Sequence, residues 1–220
     1  MSSELKKRIL TSVLLFSLLA GMYLYSFVMI ISLIIIGLII WIEFYVMILK
    51  IFPRKKLKHS FLRFLFKILF LSYLALLIYV IFIIESSYPN LKIYILYSIL
   101  VAICSDIGGL VFGKIFKGKK LTRISPNKTI SGSIGAYVFS LFLLIFFHKE
   151  VFNYDFLALS LITVLISTTS QLGDLFISLL KRKAKVKDTS DILPGHGGFL
   201  DRVDGIIFAL PMGILLFNLF

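Results

Sequence analysis

The chain has 220 residues, of which 59% are hydrophobic and only 16% charged, and its mean hydropathy is +1.00. A soluble domain carries about 25% charged residues, so composition excludes an ordinary soluble globule. The net charge of +13 invites a nucleic-acid reading, but the placement of that charge points elsewhere.

The N-terminal tail carries Lys6, Lys7 and Arg8 ahead of an apolar run. A basic start before apolar residues resembles a secretory leader. Here the apolar stretch runs from Ile9 to Leu49 with Glu43 as its one charge, so an uncleaved first helix is expected. A bilayer core needs roughly 20 apolar residues per helix, which makes this stretch two crossings with a tight turn near Tyr23 to Ser26. Continuing along the chain, spans are expected at about 9–22, 27–49, 62–84, 91–113, 130–147, 156–180 and 203–220. The fold class is therefore all-α: a polytopic integral membrane protein with about seven transmembrane helices, the range being six to eight. One transmembrane domain is expected over residues 1–220, with no soluble domain and no internal repeat. Cys104 is the sole cysteine, which excludes an intramolecular disulfide.

With the N-terminus in the cytoplasm, the connections on that side hold 22 of the 24 Lys and Arg residues, leaving Lys92 and Lys149 outside. The positive-inside rule accounts for this split, so membrane lipids rather than nucleic acid are the expected partners of the basic loops. The cytoplasmic face is also where the polar motifs fall.

Asp174 follows the polar patch Ser167-Thr168-Thr169-Ser170-Gln171 inside the sixth span. An ionised carboxylate within a span costs about 2.5–3.5 kcal/mol on insertion scales, so a metal, a cation or water must offset it. Asp201 and Asp204 are three residues apart at the expected start of the last helix, a spacing that places them on one face. Helix N-terminal capping is the simplest alternative role for them. Between them lies Arg202. The preceding loop runs from Lys187-Asp188-Thr189-Ser190-Asp191 to Pro194-Gly195-His196-Gly197-Gly198. Glycines admit close backbone approach, and consecutive N–H groups can cradle an anion. Beside Lys181 and Arg182, the loop reads as a nucleotide-phosphate and metal site. Carboxylate oxygens suit Mg²⁺, which usually arrives with substrate phosphates. His196 lacks a second zinc-spaced ligand, so zinc is rejected. The run Gly108-Gly109-Leu110-Val111-Phe112-Gly113-Lys114-Ile115 imitates a phosphate-binding loop, but it is apolar, lies within a span and has Ile115 where Ser or Thr would hold the metal.

Taken together, Ser178, Lys181, Arg182, Lys187, Asp188, Pro194, His196, Gly197, Gly198, Asp201, Arg202 and Asp204 resemble the signature of CDP-diacylglycerol synthases, or phosphatidate cytidylyltransferases. Ser105-Asp106-Ile107-Gly108 with Phe112-Gly113, Ser125-Pro126-Asn127-Lys128-Thr129 with Gly132, and Gln171-Leu172-Gly173-Asp174 resemble further segments of that family, and Glu43 after Trp41 resembles it more loosely. The signature falls within 171–205. Ile177, Asn127, Ile130-Ser131 and Gly205 depart from the usual pattern, and against the family one or two helices fewer are expected near the N-terminus.

The resemblance implies transfer of the cytidylyl group of CTP to phosphatidate, giving CDP-diacylglycerol and pyrophosphate. It implies Asp174, Lys187, Asp188, Asp201, Arg202 and Asp204 as catalytic residues. It further implies Lys128, Lys181, Arg182, His196, Gly197 and Gly198 as phosphate-binding, and Asp106 and Ser125 as the border of the lipid site. Mg²⁺ shared by Asp174 and Asp201 is expected, with a second cation near Asp204 or Asp188. CTP, phosphatidate and membrane lipids are the expected partners, together with a homodimer option and no nucleic acid. The expected location is the cell inner membrane. A CTP-dependent polyprenol or dolichol kinase is the main alternative. A CDP-alcohol phosphotransferase lacks its Asp-Gly-x2-Ala-Arg run here, and a transporter would favour inverted repeats.

Overall fold

The computed structural model describes residues 3–53, 57–122, 125–147, 154–195 and 197–219. The described residues form helices and connecting loops, with only two isolated β-bridges. The helices are α1 (Ser3–Leu24), α2 (Ser26–Ile51), α3 (Leu57–Ser87), α4 (Lys92–Phe116), α5 (Ile130–Phe142), α6 (Leu144–Phe147), α7 (Phe156–Lys183), α8 (Leu200–Val203) and α9 (Ile206–Leu219). Among the described residues, five segments are long and apolar enough to cross a membrane: α2, α3, Pro89–Phe116, Ile130–Phe147 and α7. Within α1, Ile9–Leu24 is a shorter apolar segment. The chain is an all-α polytopic membrane protein.

The expected turn near Tyr23–Ser26 falls at Tyr25, whose extended backbone separates α1 from α2. The expected last span begins later than 203. Helix α8 ends at Val203, a turn occupies 204–205, and α9 starts at Ile206.

The chain divides into two compact units, Met1–Tyr88 with Leu180–Val203, and Pro89–Leu179 with Asp204–Phe220. In the first unit α2 and α3 form an antiparallel hairpin. Ser26 Oγ donates to Glu85 Oε1 (2.5 Å) at one end, and Arg63 Nη1 donates to the Phe52 carbonyl (3.3 Å) at the other. Between them Phe44 and Phe70 stack at 3.8 Å, and the Lys67 ammonium lies 5.2 Å and 5.0 Å from the ring centroids of Trp41 and Tyr45. An ammonium over aromatic faces is held electrostatically, and Trp and Tyr are enriched where a span meets the headgroups.

The second unit buries Tyr97, Val101 and Ala102 of α4 against Leu159, Ile162 and Ile166 of α7 and Ala209 and Phe217 of α9. Two pairs of hydroxyls meet inside this unit. Tyr97 and Thr163 hydroxyls meet at 2.6 Å, and those of Ser105 and Ser167 at 3.0 Å. Such pairs satisfy groups that lipid cannot. The glycine run that imitates a phosphate loop has a packing role instead. A Cβ on Gly108 would overlap the Gly135 carbonyl oxygen and lie 2.7 Å from Phe139 Cβ, so α4 and α5 approach backbone to backbone at this crossing.

Candidate functional site

In the first unit, the signature loop closes on itself before it closes on anything else. Leu193 and Gly197 exchange backbone hydrogen bonds of 2.8 and 3.2 Å across Pro194 to His196. Gly195 and Gly197 take φ of 76° and 82°, the left-handed region that favours glycine. From α1, Thr11 Oγ1 donates to the Pro194 carbonyl at 3.0 Å.

Two carboxylates organise the rest of the loop. Asp201, at 5% side-chain exposure, accepts from Lys181 Nζ on Oδ1 (2.7 Å). Its Oδ2 accepts from the Thr189 N–H (2.8 Å), the Thr189 hydroxyl (2.9 Å) and the Gly198 N–H (3.1 Å). Burial alone would raise its pKa. The Lys181 ammonium and the two backbone N–H donors outweigh that and hold it below the usual carboxylate range.

The second carboxylate is Glu43 of α2, at 2% exposure. Its Oε1 accepts from the Ser190 hydroxyl (2.5 Å) and the Phe199 N–H (3.1 Å). Its Oε2 accepts from the Thr189 hydroxyl (3.1 Å) and the Leu200 N–H (2.7 Å). Phe199 and Leu200 lie at the start of α8, where backbone N–H groups have no partner within the helix. Gly198 lies inside this cage, where a Cβ would overlap the Thr189 hydroxyl and approach Glu43 Oε1 and Oε2 to 2.7 and 2.8 Å.

In the second unit, the segment Ser125 to Thr129 is a turn and then a cap. The Lys128 N–H donates to the Ser125 carbonyl (3.1 Å), and Thr129 Oγ1 accepts from the Gly132 N–H (3.0 Å) to cap α5. The turn delivers the Lys128 ammonium to Asp174 Oδ2 of α7, and Ser178 Oγ donates to Asp174 Oδ1 at 3.2 Å. Further along α7, Gln171 Oε1 accepts from Ser133 (2.6 Å), and the Thr168 and Tyr137 hydroxyls meet at 3.1 Å. The mid-span carboxylate is thus offset by an ammonium, one of the ways its insertion cost can be met.

Asp174 belongs to the second unit and Asp201 to the first, each with its own lysine. Arg182, Lys187, Asp188 and Arg202 are exposed, and Asp106 is exposed on α4 while its neighbour Ser105 is buried. Asp204 is buried at 6% exposure in the turn before α9, where its Oδ1 accepts from the Gly205 N–H at 3.0 Å. The expected continuous helix through Asp201 and Asp204 is interrupted there, so their i, i+3 spacing is not that of one helix face. His196 lies outside the described residues.

Among the described residues no three His, Cys, Asp or Glu side chains cluster as a ready metal cage. The donor chemistry nevertheless suits Mg²⁺. Asp174 and Asp201 offer hard anionic oxygens already matched to a cation, and Mg²⁺ usually takes one or two carboxylates, completing its shell with water and substrate phosphate.

The largest shortfall of the sequence reading is Glu43, with Thr189 and Ser190. Their signal was present, since Glu43 is the one charge between Ile9 and Leu49 and an intramembrane carboxylate demands a partner.

A family profile described as the cytidylyltransferase family matches residues 1–220. The chain is similar to a protein of Staphylococcus haemolyticus (strain JCSC1435) named phosphatidate cytidylyltransferase, 46% identical over 123 residues, 54% of this chain and 46% of the relative. A Bacillus subtilis (strain 168) protein of the same name is 43% identical over 129 residues, 58% of this chain and 48% of the relative. The chain spans about half the length of the curated relatives it matches.

Proposed function

The chain belongs to the cytidylyltransferase family, and from that membership we propose that it joins CTP to phosphatidate, giving CDP-diacylglycerol and pyrophosphate. The observation that carries the reading is the loop from Lys187 to Asp201. It is fastened by two buried carboxylates, flanked by exposed basic groups, and lies in a chain whose other segments cross a membrane. A lipid substrate that never leaves the bilayer requires such a setting.

In the proposed reaction a phosphate-monoester oxygen of phosphatidate bonds to the α-phosphorus of CTP. The bond from that phosphorus to the bridging oxygen of the β-phosphate breaks, and pyrophosphate leaves with the electron pair. The monoester is already ionised near neutral pH, so a strong general base is not needed. The barrier is largely repulsion between anions, which positioning and fixed positive charge lower. Lys181, Arg182, Lys187 and Arg202 supply that charge around the triphosphate, and Lys128 supplies it from the Ser125–Thr129 turn. His196, Gly197 and Gly198 are assigned to the phosphates from the family resemblance, although the Gly197 and Gly198 N–H groups are engaged within the loop by the Leu193 carbonyl and Asp201. Asp106 and Ser125 border the lipid. Asp174 and Asp201 are the carboxylates that would hold Mg²⁺. When bound, Mg²⁺ supplies charge neutralisation on phosphate oxygens. Asp188 and Asp204 are the candidates for a second cation. The 22-to-2 division of basic residues supports an inner-membrane location with the loops cytoplasmic.

Product analysis tests the reading. Purified protein given CTP, phosphatidate and Mg²⁺ should release pyrophosphate in step with lipid product. Release of CDP instead would mark a CTP-dependent lipid kinase.

A further inference from the structure

We infer that Glu43 is a positioning residue for this transfer, holding the 189–200 loop and, through the Thr189 hydroxyl, the Asp201 carboxylate in one geometry. The inference rests on the cytidylyltransfer reading for its catalytic part.

Helix α2 ends at Ile51, so Glu43 lies eight residues inside it, a depth of about 12 Å at 1.5 Å per residue. A carboxylate there is costly without compensation. Its compensation comes from four groups of the signature loop: the Ser190 hydroxyl, the Phe199 and Leu200 N–H groups, and the Thr189 hydroxyl, whose one proton is shared with Asp201. Two of these are side chains from the loop's entry and two are backbone N–H groups from its exit. One carboxylate therefore pins both ends of a loop whose middle is closed by the Leu193–Gly197 pairing. Residues 146 to 157 positions away in sequence converge on it.

Thr189 extends this hold to Asp201. Its hydroxyl lies 3.1 Å from Glu43 Oε2 and 2.9 Å from Asp201 Oδ2. A hydroxyl has one proton to donate, so it couples the two acceptors, and displacement of one carboxylate changes what the other receives. Gly198 leaves no space for slack, since a Cβ there would strike both Thr189 and Glu43. Glu43 need not touch a substrate to matter. It fixes the backbone on which Asp201 and the glycine N–H groups are carried, and a misplacement of about 1 Å can cost about 10²-fold in rate.

The test uses the full chain in detergent with Glu43→Gln, Thr189→Val and Thr189→Ser. Glu43→Gln presents an amide donor to converging donors, while Thr189→Ser keeps the bridging hydroxyl that Thr189→Val removes. Two readouts are taken: kcat for label transfer from CTP to lipid, normalised to folded protein, and hydrogen exchange at the Phe199 and Leu200 amides. The expected result is a kcat loss of about 10²-fold for Glu43→Gln and Thr189→Val. Thr189→Ser should stay within about threefold of the parent, and the two amides should exchange at least about tenfold faster in Glu43→Gln. A merely structural Glu43 would lower the folded yield but leave kcat per folded molecule unchanged, and that result would overturn the inference. If the parent protein transfers no label, the reaction reading fails by itself. Amide exchange then decides the anchor, with unchanged exchange in Glu43→Gln overturning it.

Discussion

Substituting Gly198 by Ala adds one methyl group at the most enclosed point of the loop. That Cβ would begin 2.7 Å from Glu43 Oε1 and 2.8 Å from Oε2, and would overlap the Thr189 hydroxyl. Restoring an ordinary 3.4 Å contact to Glu43 requires a shift of about 0.7 Å, and Thr189 must move further. Glu43 cannot withdraw freely, because four groups of the loop hold it. The backbone therefore moves, taking with it the Gly198 N–H that Asp201 accepts. Overpacking of this kind costs about 1–3 kcal/mol, and a displacement approaching 1 Å costs about 10²-fold in rate. Transfer of α-phosphate label from CTP to lipid should consequently fall about 10- to 10²-fold in Gly198→Ala, with the helical content unchanged. Activity within about twofold of the parent would show that the cage around Glu43 and Thr189 is not the geometry that the reaction needs.

Three further outcomes follow from the same geometry. Asp201 has its pKa lowered in the folded chain, so its contribution to stability is present above the ordinary carboxylate pKa and is lost as pH falls through the lowered value. Protection of the 189–201 amides should hold at neutral pH and fall at acid pH, and Asp201→Asn should remove that acid step; an unchanged profile would contradict the assigned partners. In the second unit, Gly135→Ala should destabilise by about 1–3 kcal/mol, read as a lower melting temperature in detergent, because its Cβ would overlap Phe112 and lie 2.8 Å from the Gly108 carbonyl oxygen. Single cysteines at Lys119 and Lys185, placed on a Cys104→Ala background, should resist an impermeant thiol reagent in intact cells, and labelling from outside would reverse the proposed orientation.

The helices were largely legible because a membrane span is a one-dimensional signal. Apolar runs place α2, α4 and α7 to within about three residues, whereas α3 begins at Leu57, ahead of the expected 62. The break at 204–205 was not legible, since no proline marks it and Asp201 to Asp204 reads equally well as a helix start. Gly205 packs against Ser170, its Cβ position 2.5 Å from Ser170 Oγ, and that contact is invisible in the local sequence. The same limit applied to Glu43. Its isolation in an apolar run announced that it needed a partner, but the partner lay 146 to 157 residues further on. Lys128 and Asp174 each stand out in the sequence, yet only the fold joins them as an ion pair.

Cytidylyl transfer and phosphoryl transfer leave different labels of CTP in the lipid. Purified protein in detergent with phosphatidate and Mg²⁺ is given CTP labelled on either the α- or the γ-phosphate. Cytidylyl transfer sends α-label into the lipid fraction and releases γ-label as pyrophosphate. Label from the γ-position in lipid, or no lipid label from either position, would contradict it.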